Sequence, residues 1–103
     1  MVDVVKKNLC GLTEMCKQHR VKSLVLIGSA ARNTDFTGQS DIDLLYELDP
    51  HIPIENYADN YFNLLNGLTV LFQRPVDLVP VDGSRNRFFL QSIAQDKVVL
   101  YEA

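Results

Sequence analysis

The chain has 103 residues, an apolar fraction of 47% and a formal net charge of −3, which fit one domain with a single modest core. No apolar run approaches the ~20 residues of a membrane span. The 10 basic residues are scattered, which argues against a domain whose main task is gripping nucleic-acid phosphates. The N-terminus carries no basic segment followed by an apolar block, so no secretory signal is expected and a cytoplasmic setting is the default.

Val2, Val5, Leu9, Leu12 and Cys16 recur at steps of three and four, which predicts an amphipathic helix over residues 2–19. Cys10 and Cys16 match neither a redox pair nor a zinc knuckle and are expected to be reduced thiols on different helix faces. His19 and His51 are isolated and are read as surface residues. Residues 23–27, SLVLI, form a short apolar run with β-branched members, expected as a strand buried on both faces. It ends at Gly28-Ser29, and Ala30-Ala31-Arg32 predicts a short helix with Ser29 near its N-cap. Residues 33–40 are polar, include Gly38 and read as a loop.

Residues 41–48, DIDLLYEL, predict a strand. Its period of two sends Ile42, Leu44, Tyr46 and Leu48 to the core and Asp41, Asp43 and Leu45 to the other face. Asp49-Pro50 ends it. Pro53 suits a helix start, and Ile54, Tyr57, Tyr61, Leu64, Leu68 and Leu71 keep helical steps to about Gln73, with Ala58, Leu65 and Phe72 widening the stripe. Pro75 stops that helix. Residues 76–79 predict a strand carrying Asp77, Asp82-Gly83 a turn, residues 86–95 a helix with Phe88, Phe89 and Ile93, and residues 97–101 a last strand. Strands and helices alternate as α-β-α-β-α-β-α-β, so an α/β (α+β) fold is expected, a small mixed sheet with helices mainly on one face.

Asp41 and Asp43 admit two readings. They are the wet face of a half-exposed strand, or they hold a divalent cation that offsets their mutual repulsion. Gly28-Ser29 likewise reads either as a plain helix cap or as a turn whose backbone approaches phosphate oxygens, with Arg32 adding positive charge. Asp77 is a turn-proximal surface residue or a third acid of the same site. All three features occur in order within a short span, which favours the ligand-binding readings together.

The turn GSAARN (28–33), the strand SDIDL (40–44), the segment RPVDLV (74–79) and the tail from Arg85 to Ala103 resemble the minimal nucleotidyltransferases of the DNA polymerase β superfamily. The nearest likeness is to the antitoxin-type members that work beside HEPN-domain proteins. Asn33 stands where that family usually has a second glycine, and the spacer between Ser29 and Asp41 is one residue longer than usual. The resemblance implies a polymerase β-like nucleotidyltransferase fold over residues 1–103. It implies that Asp41, Asp43 and Asp77 are catalytic and hold Mg²⁺, with two ions expected, and that Gly28, Ser29, Arg32 and Ser40 bind the nucleotide. ATP would be the substrate. The acceptor surface is expected from a partner, since no further substrate-binding domain is seen. That partner would be a HEPN toxin receiving AMP on a hydroxyl, a tyrosine by preference. The alternatives are a non-catalytic nucleotide-binding subunit that inhibits its partner by contact, and a homodimeric transferase acting on small molecules.

Overall fold

The computed structural model describes residues 2–32, 40–81 and 97–103. The expected turn at 82–83, the helix at 86–95 and most of the polar loop, including Asn33, lie outside them. The described chain runs α1 (Asp3–Lys6), α2 (Leu9–Gln18), β1 (Val21–Ile27), α3 (Gly28–Arg32), β2 (Ile42–Leu48), α4 (Ile54–Phe72), β3 (Val76–Pro80) and β4 (Val98–Glu102).

The sheet is mixed, in the order β3-β2-β1-β4. β1 lies antiparallel to both β2 and β4, whereas β2 and β3 run parallel across the α4 crossover. Four strand ends therefore meet at one end of the sheet: the end of β1 and the starts of β2, β3 and β4. β3 is an edge strand, which is where Pro80 is tolerated, because its missing N–H costs no ladder bond there.

One face carries the main core. Leu24 and Leu26 of β1, and Ile42, Leu44, Tyr46 and Leu48 of β2, pack with Val5, Leu12 and Cys16 of the N-terminal helices and Leu64, Leu68 and Phe72 of α4. The apolar period of β2 thus points inward as expected. On the other face Ile27 and Leu45 form a smaller cluster with Val25, Val79 and Val81. The second half of β1 is covered on both faces, as its apolar run predicts, while Lys22 near its start is exposed.

Three expectations need correction. The single N-terminal helix is two, because the chain breaks at Lys7–Asn8, where Asn8 leaves helical geometry at φ −110°, ψ 11° and its side-chain amide donates to the Val4 carbonyl at 2.7 Å. The buried line of α4 is Leu64–Leu68–Phe72, so Phe72 lies at the centre of the stripe, while Ile54 and Tyr57 at the start of the helix stand exposed beyond the core. His19 is half-buried rather than superficial, with its Nδ1 2.8 Å from the Met15 carbonyl; His51 is exposed as expected. Among the described residues no helix is long and apolar enough to cross a membrane.

Leu64 is fully buried between α4 and the sheet. Leu64→Ala is expected to lower the unfolding free energy by about 2–5 kcal/mol, the cost of lost transfer energy plus a cavity; the shift in urea midpoint measures it.

Cys10 is exposed and Cys16 buried. Burial pushes the Cys16 thiol from 9.0 up to about 11. A raised thiol stabilises the fold while the unfolded chain also keeps its proton, and that contribution is lost as pH rises from 9.0 towards about 11. Stability is expected to fall across that window, and Cys16→Ala to remove part of the fall. Below it, iodoacetamide is expected to modify Cys10 alone until denaturant exposes Cys16, a difference that mass spectrometry reads directly.

Candidate nucleotidyl-transfer site

β1 ends at Ile27, paired with Asp43 of β2. Asp43 in turn pairs with Asp77 of β3. Paired residues on neighbouring strands point to the same side of the pleat, so the two carboxylates stand side by side on strands about 4.8 Å apart. Ile42 and Leu44 turn into the main core, so the acids face away from it. Asp43 is half-buried and Asp77 exposed. Asp41 lies one residue before β2, exposed, at the mouth of the same strand.

The glycine turn closes on this row. Gly28 has φ +70°, a region that costs an L-residue with a Cβ. A Cβ built on Gly28 would stand 2.7 Å from Oδ2 of Asp43 and 3.6 Å from its Cγ. The carboxylate of Asp43 therefore occupies the space that a side chain at position 28 would need. α3 is a five-residue turn of helix packed on β1 and β2. Its Ala30 and Ala31 are buried, and the Ala30 carbonyl accepts the N–H of Val2 at 3.1 Å, which ties the N-terminal segment to the turn. Ser29 follows Gly28 on α3 and is half-buried; Arg32 is the last residue of α3, and its side chain lies outside the described part.

Ser40 is half-buried. Its carbonyl accepts a hydrogen bond from Nη1 of Arg74 at 3.1 Å. Sequence reasoning gave Arg74 no role. The signal was a long cation three residues before Asp77 at a helix-to-strand junction, but only the pairing of β2 with β3 reveals that it reaches the entry of β2.

The structure thus brings Gly28, Asp43 and Asp77 together, with Asp41 and Ser40 at the entry of the same strand. Among the described residues no three His, Cys, Asp or Glu side chains converge as a ready-made metal cage. The donor set fits Mg²⁺ nonetheless. All its members are hard oxygens, and Mg²⁺ is usually held by one or two carboxylates with substrate phosphates and water completing the shell. Like charges placed directly opposite on neighbouring strands destabilise a sheet, a cost that a cation shared by Asp43 and Asp77 would offset. Clefts lined by Tyr46, Asp49 and Tyr57, and by Lys17, Arg20 and Tyr101, lie at the opposite end of the sheet and share no residue with the acid row.

The sequence pattern of the family described as "Polymerase beta, Nucleotidyltransferase" matches residues 11–103. A curated protein of Methanocaldococcus jannaschii named "Putative protein adenylyltransferase MJ0126" is 33% identical over 87 residues, covering 84% of this chain and 84% of the relative. The fold is shared with solved structures. One described as "Structure of putative minimal nucleotidyltransferase" superposes with a TM-score of 0.73 at 19% identity, covering 94% of this chain and 95% of the other. A toxin–antitoxin structure with AMP-PNP gives 0.65 at 16% identity, covering 99% and 75%. A complex of tri-AMPylated Shewanella oneidensis HEPN toxin with its MNT antitoxin gives 0.62 at 16% identity, covering 95% and 72%.

Gly28→Ala is expected to destabilise the chain by about 1–2 kcal/mol through left-handed backbone strain. It should also displace the Asp43 carboxylate, since the new methyl claims its place. The urea midpoint measures the first effect, and the carboxyl ¹³C shift of Asp43 the second.

Proposed function

We propose that this chain, which belongs to the polymerase β nucleotidyltransferase family, transfers AMP from ATP to a tyrosine hydroxyl of a HEPN-type partner and so acts as the antitoxin of a pair. The observation that carries the reading is the registered pair Asp43 and Asp77 beside the side-chain-free surface of Gly28. Three likenesses support it: the relative named as a protein adenylyltransferase, the neighbour that holds an ATP analogue, and the neighbour complexed with an AMP-bearing toxin. A cytoplasmic setting belongs to the same proposal.

In the proposed reaction the acceptor oxygen attacks the α-phosphorus in line. The bond from that phosphorus to the bridging oxygen of the β-phosphate breaks, and pyrophosphate leaves. Asp41, Asp43 and Asp77 would hold Mg²⁺, which when bound supplies charge neutralisation for the triphosphate and lowers the pKa of the acceptor hydroxyl. The Asp77 carboxylate, exposed at the edge strand, would take the hydroxyl proton. Gly28 and Ser29 would meet phosphate oxygens through their backbone N–H groups, while the side-chain-free face of Gly28 seats the Asp43 carboxylate. Arg32 and Ser40 complete the nucleotide contacts. Catalysis on this scheme is positioning and charge neutralisation.

The test incubates the protein with labelled ATP, Mg²⁺ and the protein encoded beside its gene. Label is expected on a tyrosine of that neighbour, lost on chelation with EDTA. Asp43→Asn should lower kcat by more than about 100-fold, the scale lost when a charge-stabilising group leaves a transfer site. A neighbour fully neutralised by Asp43→Asn with no label transferred would overturn the enzymatic reading in favour of inhibition by contact.

A further inference from the structure

Arg74 stands in the turn between α4 and β3 and is half-buried. Its Nη1 donates to the carbonyl of Ser40 at 3.1 Å. Two residues along, the N–H of Ile42 donates to the carbonyl of Pro75 at 3.0 Å. The two bonds join the same pair of segments in opposite senses. The Ser40 carbonyl belongs to the peptide plane before Asp41, and the Ile42 N–H to the plane after it. Both planes that flank Asp41 are therefore held by residues 74 and 75.

Asp41 is exposed, so close packing does not choose the direction of its side chain. With two soft dihedrals per residue, fixing the planes on either side fixes where the Cβ points. One of the two anchors is backbone and forms with any residue at position 75. The other is a side chain, with a charged donor that makes a stronger bond than a neutral one.

We propose that Arg74 is a positioning residue for the transfer reaction: by holding the Ser40 carbonyl it completes the two-sided clamp on Asp41 and fixes the direction of its Cβ at the entry of β2, where the proposed reaction uses its carboxylate. The inference rests on the proposed function and adds to it a group that acts through Asp41. It also explains why a long, branched cation precedes Pro75 at a junction where a plain helix stop would serve.

The experiment compares wild type with Arg74→Met, which keeps the apolar stem and loses the donors, and Arg74→Lys, which keeps the charge and a donor. Arg74→Met is expected to lower kcat for AMP transfer by about 100-fold, the cost of a misplacement of about 1 Å, with KM for ATP little changed. Arg74→Lys should recover part of the loss. Amide exchange gives a reading that needs no activity. The Ile42 amide should exchange at least about tenfold faster in Arg74→Met, while the amides of β1 keep their wild-type rates. Three results would overturn the role: a wild-type kcat in Arg74→Met, an Ile42 amide indifferent to the change, or acceleration of all sheet amides together, which marks a merely structural residue. A wild-type chain that transfers no AMP overturns the proposed function instead, and the Ile42 amide still decides whether Arg74 clamps the strand.

Discussion

The approach of the Asp43 carboxylate to the α-carbon of Gly28 is the contact on which the site depends. It needs a residue without Cβ at the end of β1 and a backbone at φ +70°. Once both are present, the chain can turn from β1 into α3 without moving away from β2. Asp43 then lies under the turn, and any group that approaches the carboxylate also meets peptide backbone unshielded by a side chain. A larger residue at position 28 would separate these two chemistries.

β2 performs two tasks by its pleat. Ile42, Leu44 and Tyr46 are buried against α4 and the N-terminal helices, which holds the strand rigid from one side. Asp43 projects from the other side, where Leu45 and Ile27 form a small apolar floor. The two ends of the β1–β2 pair also differ in charge logic. At the far end Asp49 accepts the His51 N–H at 2.9 Å and Nη2 of Arg20 at 3.2 Å. Those partners, His51 first, hold its carboxyl below the usual range. That acid finishes a turn. At the near end two acids are set in register on adjacent strands, an arrangement that a sheet built only for stability avoids.

Much of this was legible in the sequence. The alternation in DIDLLYEL fixes which face each aspartate takes, and the glycine-serine turn before it marks the strand end, because period and turn chemistry are local properties. The break at Asn8 was not legible: the apolar stripe runs through it without a missed step, and the interruption comes from a side-chain bond to Val4 that competes with the helix. Nor was the weight carried by Phe72, since which part of a broad stripe is deepest depends on where the sheet lies under α4. Arg74 escaped for a similar reason. Its partner Ser40 lies 34 positions away, and nothing local distinguishes a clamp from a solvated cation.

The position of Asp77 is a tertiary consequence of α4. β2 and β3 are parallel, so the chain must travel the full length of the sheet before it can start β3 beside the start of β2. The 19 residues of α4 rise about 28 Å at about 1.5 Å each, enough for that return. Gln73, in left-handed geometry at φ 53°, ends the helix, and Arg74 and Pro75 engage Ser40 and Ile42 at once. The ladder that puts Asp77 next to Asp43 starts at this junction, where the helix stops and the Ile42 N–H meets the Pro75 carbonyl. Changes in the length of α4 would therefore act on the acid pair before they acted on the core, because the core tolerates a shifted stripe of Leu and Phe more readily than two carboxylates tolerate a shifted register.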